Sequence, residues 1–569
     1  MTDLPAPLPP PVTPVAGSGN VRIAFLGGLG EIGRNCMVFE QDGALLLLDC
    51  GLMFPDADMH GIDLVLPDFT YLHDNADRIV GCVATHGHED HVGGLSYLLR
   101  QCSFPVFGSA LTLGLARNRI EEAGLLGRTE LVTVADGERR NIGPFDVEFI
   151  PVTHSVPHGF ATALHTSQGV ILHSGDFKLD LTPVDGRLTD LARIGAIAAT
   201  EGIRLLLSDS TNAEEAGHSP SETDVGLVLE ALFRRHAGRR IITASFASHI
   251  HRIQQIADAA IAAGRVVTTL GLSMRKNVRL ARDLGLLRIP DDRMLDIEDV
   301  ADRDPGEVCV ISTGSQGEPM SALTLMALGE SRWLKITDAD TVILSSHAIP
   351  GNEFNVNKVI DGLLRLGAQV VHSGVADVHA TGHAQADELK TLLSIARPDW
   401  FVPVHGEYRH MQAHAALARL MGVGESRILV CEDGDVVELG PDGASVAGRV
   451  PAGYLYVDGI VGDVGQGVLR DRKVLASEGV VVVIVAIDVE TGKVISGPEV
   501  ITRGWVYAPE ADDLLDEAAD LVERAVEEAV TSGTRDVEQL EKVVRRAAGR
   551  FVADRTRRRP MIVPVVMEA

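Results

Sequence analysis

The stretch "ATHGHEDHVGG", residues 84–94, sets His86, His88, Glu89, Asp90 and His91 within six positions, after an apolar run and before a glycine pair. One histidine on an apolar face is ordinarily a satisfied core residue. Three together with an aspartate cannot all be buried without leaving polar atoms unpartnered. A surface cluster or a metal site remains, and the metal site is the favoured reading, since imidazole and carboxylate donors suit Zn²⁺. His86 and His88 can reach one ion from a turn opened by Gly87. Asp90 and His91 project differently and can reach a second.

More candidate donors end apolar strands: His154 in "PVTHSVPHG", Asp176 in "HSGDFK" and His405 in "VPVHGEYR". Asp49 closes "LLLLDCG" in the same way. Loops at strand ends are where sites are built.

The 569 residues predict several domains. Residues 1–19, "MTDLPAPLPPPVTPVAGSG", lack a basic segment followed by an apolar one, so no secretory signal is expected. Their prolines predict a disordered tail. Residues 20–214 read as strands with interleaved helices. From 215 to 374 strands such as "RRIITASFAS", "RVVTTLG", "EVCVISTGS" and "TVILSS" alternate with helices, and their continuous apolar character fits a parallel sheet covered on both faces. "SETDVGLVLEALFRRH" predicts a helix with Ser221 and Thr223 as candidate caps, and "HRIQQIADAAIAAG" one that stops at Gly264. Residues 375–454 regain the His/Gly-rich style. Residues 455–569 form a separate unit, with "GVVVVIVAIDVETG" and "PMIVPVVME" as strands around two helical segments.

Net charge is −28, which argues against general adhesion to nucleic acid and leaves room for a local basic groove or a metal-borne positive charge. Six scattered cysteines without a CxxC pair predict reduced, buried thiols in the cytoplasm. No run is long enough for a membrane span, so no membrane association is expected.

HxHxDH, then His154, Asp176 and His405, with Asp49 before them, resembles the metallo-β-lactamase fold. "SDST" (Asp209), "TGSQGEP", "PGNE", "TGHA" and "PVHGE" resemble its β-CASP nuclease branch, and together with the C-terminal unit the chain is similar to the bacterial ribonuclease J family. The resemblance implies an α/β architecture: a discontinuous αββα metallo-β-lactamase sandwich (20–214 plus 375–454), an inserted β-CASP domain (215–374) and a small C-terminal α/β oligomerisation domain (455–569). It implies that His86, His88 and His154 bind one zinc, that Asp90, His91 and His405 bind the other, and that Asp176 bridges. Asp49 would hold a ligand histidine in its tautomer. Manganese or magnesium are alternatives to the two zinc ions. Asp176, where lactamases of this fold usually carry cysteine, favours phosphodiester hydrolysis. Asp90 and His383 are the catalytic candidates beside Asp49; His383 resembles the residue that contacts the scissile phosphate.

The same resemblance makes the loop His379, Ala380, Thr381, Gly382 and His383 a phosphate grip, and gives Ser248, His249 and Ser315 to a 5′-monophosphate pocket. Thr381 stands where serine is common, His158 where aspartate is common, and "ASHI" replaces "ASN", leaving the role of Ser248 or His249 open. Plain turn chemistry is the competing reading of these stretches. The implied activity is 5′→3′ exonuclease with endonuclease capability on single-stranded, preferably 5′-monophosphorylated RNA, in RNA maturation and decay. The implied partners are a second copy or three, and other RNA-decay proteins. A DNA-directed β-CASP nuclease, a β-lactam or thioester hydrolase, and a binding protein without catalysis are the alternatives.

The acidic stretch 54–68 makes Asp58, with Asp458 of "YVDG", candidates for a structural cation such as calcium; a solvated loop is the favoured reading. "GLGEIG" matches GxGxxG, but no helix follows, so a tight β-turn is expected instead of a dinucleotide site. "RTRRRP" and "FRRHAGRR" could touch RNA, though a solvated helix end is the commoner meaning of such runs.

Overall fold

The computed structural model describes residues 19–56, 58–300, 303–349, 352–459, 461–488, 491, 493–506 and 511–568. The expected tail therefore lies outside the described residues but for Gly19, as do Pro350 and Gly351 of "PGNE" and part of the turn after Asp488. The chain divides into one unit of residues 1–54 and 65–454 and another of 55–64 and 455–569.

In the first unit, two sheets face each other. The eight-stranded sheet runs in the order 443–449, 435–440, 21–27, 36–41, 44–48, 79–83, 106–108, 131–133. The six-stranded sheet runs 400–404, 203–209, 169–173, 159–166, 145–152, 139–142. One apolar core joins their inner faces, with Phe25, Phe39 and Leu46 from one sheet against Phe149, Phe160, Leu207 and Val402 from the other. Burying such side chains contributes about 1.5–3 kcal/mol each, which fixes the pairing of the sheets. Helices Leu191–Thr200, Ala386–Ala396 and Tyr408–Leu420 cover the outer face of the second sheet. Helix Ala110–Glu122, one of the helices interleaved with the strands, packs on strands Val106–Gly108 and Leu131–Thr133.

Within the same unit, strands 266–270, 308–312, 240–244, 340–344 and 369–371 form a wholly parallel sheet. Apolar clusters lie on both its faces, which is why its strands read as continuous apolar runs. Ser221 caps helix Glu222–Arg235 by accepting from the Thr223 N–H, so Thr223 supplies the donor and does not cap. Gly264 follows helix Ile250–Ala262 with φ +78°, a left-handed position suited to glycine. Strands 240–244 and 340–344 are neighbours whose onward connections leave in opposite directions along the sheet. That is the arrangement that opens a crevice at carboxyl ends. Ser245, Ser345 and Ser346 follow those ends and are buried.

"GLGEIG" is not a nucleotide fingerprint. Strand Val21–Gly27 leads into Leu29–Gly30, which pairs with Gly406–Glu407, and then into strand Cys36–Gln41. A Cβ on Gly28 would sit 2.4 Å from Asn35 Oδ1, so the turn closes onto that amide.

In the second unit, strand Val480–Asp488 is central, antiparallel to Lys493–Arg503 and parallel to Met561–Glu568. Its alternate residues Val481, Val483, Val485 and Ile487 pack on Val522, Val526, Leu540 and Val544 of helices Asp512–Thr531 and Val537–Thr556. All six cysteines are buried and unpaired. Among the described residues no helix is long and apolar enough to cross a membrane.

Candidate metal centre

The donors converge from loops that leave the carboxyl ends of both facing sheets. His86 and His88 follow strand Ile79–Val83, with Asp90 and His91 in the next short turn. His154 follows Phe145–Val152, Asp176 follows Gly169–His173, and His405 follows Trp400–Val404. Two groups result: His86, His88, His154 and Asp176; and Asp90, His91, Asp176 and His405, each with its donor atoms within 4.8 Å of one another. Asp176 Oδ2 belongs to both, 3.6 Å from His86 Nε2, 3.2 Å from His91 Nε2 and 3.5 Å from His405 Nε2.

Hydrogen bonds behind the rings decide which nitrogens turn inward. Gly382 O accepts from His154 Nδ1 at 2.7 Å, leaving Nε2 as the free lone pair. Asp49 Oδ2 accepts from His91 Nδ1 at 2.8 Å, and is itself held by the Thr85 hydroxyl, while Oδ1 takes the Thr85 N–H. Thr211 Oγ1 lies 2.7 Å from His405 Nδ1. His88 Nδ1 then faces His86 Nε2 at 3.0 Å and His154 Nε2 at 3.2 Å. Three ring nitrogens facing one another cannot satisfy themselves with protons; a shared cation can satisfy all three.

Electrostatics agrees. Burial holds His86 and His154 well below the ordinary imidazole range and His88 down to about 4, so these rings are neutral, as ligands must be. Burial also opposes charge on His91 and His405, but Asp176 and neighbouring carboxylates outweigh it and pull both upward. Asp176, despite its burial, is held well below the usual carboxylate range by His405, His91 and His86. The second group is thus an acidic pocket that attracts positive charge.

A third cluster adjoins these. His383 Nδ1 lies 2.8 Å from Asp209 Oδ2, and its ring stacks 5.4 Å from that of His405. Thr381 Oγ1 accepts from Asn212 Nδ2 at 2.8 Å and from the His383 N–H at 3.2 Å, so its hydroxyl ties down the loop. A Cβ on Gly382 would lie 2.7 Å from His154 Cε1, which only glycine avoids.

Four family models match consecutive stretches: metallo-beta-lactamase superfamily at 29–217, ribonuclease J beta-CASP domain at 238–363, Zn-dependent metallo-hydrolase RNA specificity domain at 368–428, and ribonuclease J C-terminal domain at 467–569. Ribonuclease J of Mycobacterium tuberculosis is 44% identical over 568 residues, 100% of both chains. Ribonuclease J of Mycolicibacterium smegmatis is 44% identical over 98% of this chain and 99% of its own. Ribonuclease J2 of Bacillus subtilis is 40% identical over 96% and 99%. This chain belongs to the ribonuclease J family. A crystal structure of a protein of unknown function from Enterococcus faecalis V583 shares the fold, with TM-score 0.53 and 14% identity over 74% of this chain and all of that one.

The remaining candidates of this ribonuclease J family chain are placed as follows. Ser315 is buried, and its carbonyl accepts from Ser346 Oγ. His379 meets His347 edge-on at 4.8 Å and keeps a buried Nδ1 without a hydrogen bond, while Ala380 is buried. Ser248 is half-buried. His249 is 1% exposed, its Nε2 3.4 Å from Glu222 Oε1, and neither ring nitrogen has a hydrogen bond. His158 takes a left-handed φ of 62°, beside Arg187, Asp136, Asp185 and His251.

Asp58 and Asp458, the candidates for a cation where a solvated loop is the favoured reading, both sit beside basic side chains. Asp58 pairs with Lys473 at 2.6 Å and Asp458 pairs with Arg472. Each carboxylate has a basic partner at the surface, and no metal-type group includes either among the described residues. Sequence reading gave no role to Asn35, Thr85 or Thr211. Asn35 Nδ2 donates to Asp90 O at 3.1 Å and lies 3.1 Å from His91 Nε2. The adjacency of Thr85 to the hexapeptide and of Thr211 to Asp209 in "SDST" was the available signal.

Proposed function

We propose that this ribonuclease J family metallohydrolase cleaves RNA phosphodiesters with two divalent cations, zinc in the first instance, acting as a 5′→3′ exonuclease that also cuts internally. The observation that carries it is the pair of four-donor groups joined by Asp176 Oδ2. His86, His88 and His154 would hold one cation, and Asp90, His91 and His405 the other, with Asp176 shared. Bound there, a pair of cations supplies an activated water and neutralises charge at the phosphorus being attacked.

The protein's own groups do the rest. Asp49, Gly382 O and Thr211 fix the ring tautomers. Asp209, with burial opposing, raises His383 above the ordinary imidazole range, which favours the protonated ring whose Nε2 can pass a proton to the leaving oxygen. The crevice at Ser245, Ser345 and Ser346 supports a 5′-phosphate pocket. Ser245 Oγ and His379 Nδ1 are buried there without hydrogen bonds, leaving polar atoms for a phosphate to engage. Buried unpaired thiols support a reducing, cytoplasmic setting. The C-terminal unit is read as the self-association module.

The test uses RNAs with a 5′-monophosphate or 5′-triphosphate, a matched DNA, and His88→Ala. Metal-dependent release of mononucleotides from the monophosphate RNA, lost in the variant, is expected. Equal degradation of DNA, or full activity of His88→Ala, overturns the reading.

A further inference from the structure

Helix Val537–Thr556 of the C-terminal unit has two opposed faces. Leu540, Val544, Ala548, Phe551 and Val552 are buried against the sheet. At 100° per residue, the opposite face carries Lys542, Arg546, Gly549, Arg550 and Ala553, with Arg545 and Val543 at its two edges. The four basic residues are exposed, and among the described residues none makes an ion pair. No acid stands on this face between Lys542 and Ala553, and Arg557 and Arg559 extend the basic surface past the helix end. The neighbouring helix, Asp512–Thr531, has eight acids against one arginine. Charge is therefore segregated between these two helices, and a chain of net charge −28 keeps a concentrated basic stripe here.

We propose that this stripe, on the C-terminal unit, is a phosphate-binding surface for single-stranded RNA that holds long substrates. The proposal rests on the RNA-cleaving reading above. Arginine forks match phosphate oxygens in pairs, and three of the four cations are arginines. A protein partner fits less well, because a protein interface needs an apolar centre. Between its edges this face offers no apolar side chain larger than alanine, and Val543 at one edge is half-buried. The exposed run in "RTRRRP" then continues a helical stripe instead of marking only a solvated end.

The test compares the full-length protein with the triple variant Lys542→Ala/Arg546→Ala/Arg550→Ala and its charge-reversed form with glutamates. With metal chelated to prevent cleavage, binding of a long single-stranded 5′-monophosphorylated RNA is titrated against salt. Losing three phosphate contacts should flatten the log–log salt slope by about 2 and weaken binding at low salt by roughly tenfold, more in the reversed form. Turnover of an oligonucleotide of about five residues, and the mass in solution, should stay at wild-type values. An unchanged slope overturns the proposal. So does a fall in oligomer mass, which would assign the stripe to another subunit's acidic helix. If wild type cleaves neither RNA yet the slope still flattens, the cleavage reading fails and the surface stands.

Discussion

Two buried polar clusters in the first unit look alike in composition and differ in one respect. At the metal centre, Asp49, Asp90, Asp176 and Asp209 have only histidines as basic partners; among the described residues no lysine or arginine pairs with them. Around Glu222 and Asp180, the cations are built in. Arg252 is 0% exposed and donates from Nη2 to Glu222 Oε2 at 2.6 Å and from Nη1 to Ser345 Oγ and Val378 O. Lys178, equally buried, lies 3.5 Å from Asp180. Burial alone would raise the Glu222 carboxyl, but Arg252 and His249 hold it well below the usual range. A cluster of buried acids with its own guanidinium is a structural tie. One without a fixed cation is arranged to receive mobile ones.

That contrast can be broken most severely at Asp176. Asp176→Asn should lower RNA cleavage on the order of 1000-fold and reduce the metal retained per chain, measured by elemental mass spectrometry. Undiminished metal content would mean that the shared oxygen is not a ligand.

Next in size, Arg252→Met should cost about 3–5 kcal/mol in chemical unfolding, because Glu222 is left buried and unpaired. Its metal content should match wild type, and adding Glu222→Gln should recover part of the loss. The pair also has a pH signature. Because the Glu222 carboxyl is depressed in the fold, its contribution is complete above its unfolded value near 4.5 and fades as pH falls below it. Stability of Glu222→Gln should therefore slope less steeply through that acid range; an unaltered slope would deny the pair its role.

Smaller still, Asp49→Asn should weaken metal binding about 10- to 100-fold in a chelator competition, since Asp49 fixes the His91 ring without being a donor itself. Wild-type affinity would make Asp49 a fold residue only.

The legible part of the site was the local part. His86, His88, Asp90 and His91 could be read together because six residues of chain bring them together whatever the rest does. His154, Asp176 and His405 could be read as strand ends that carry donors. Asp209 could be quoted but given no task, because its partner His383 lies 174 residues away. Thr85, Thr211 and Asn35 are ordinary in sequence and matter only through the atoms they reach. The ion pairs of Asp58 and Asp458 were illegible for the same reason: Lys473 and Arg472 sit on helix Gly465–Glu478, and spacing does not announce such pairs.

The parallel sheet was legible in its strands, since burial on both faces forces continuous apolar runs. Its order was not, and the order is what sets Ser245 beside Ser345 and Ser346.

By itself, then, the chain's text determined element types, their apolar faces and the inventory of metal-binding side chains, because periodicity and donor chemistry are local properties. Only the tertiary structure decided which ring nitrogen faces inward, that one oxygen of Asp176 serves both groups, and which buried acids already have a cation. Those are matters of ångströms between distant residues, and hydrogen bonds and Coulomb forces respond to distance in space, not along the chain.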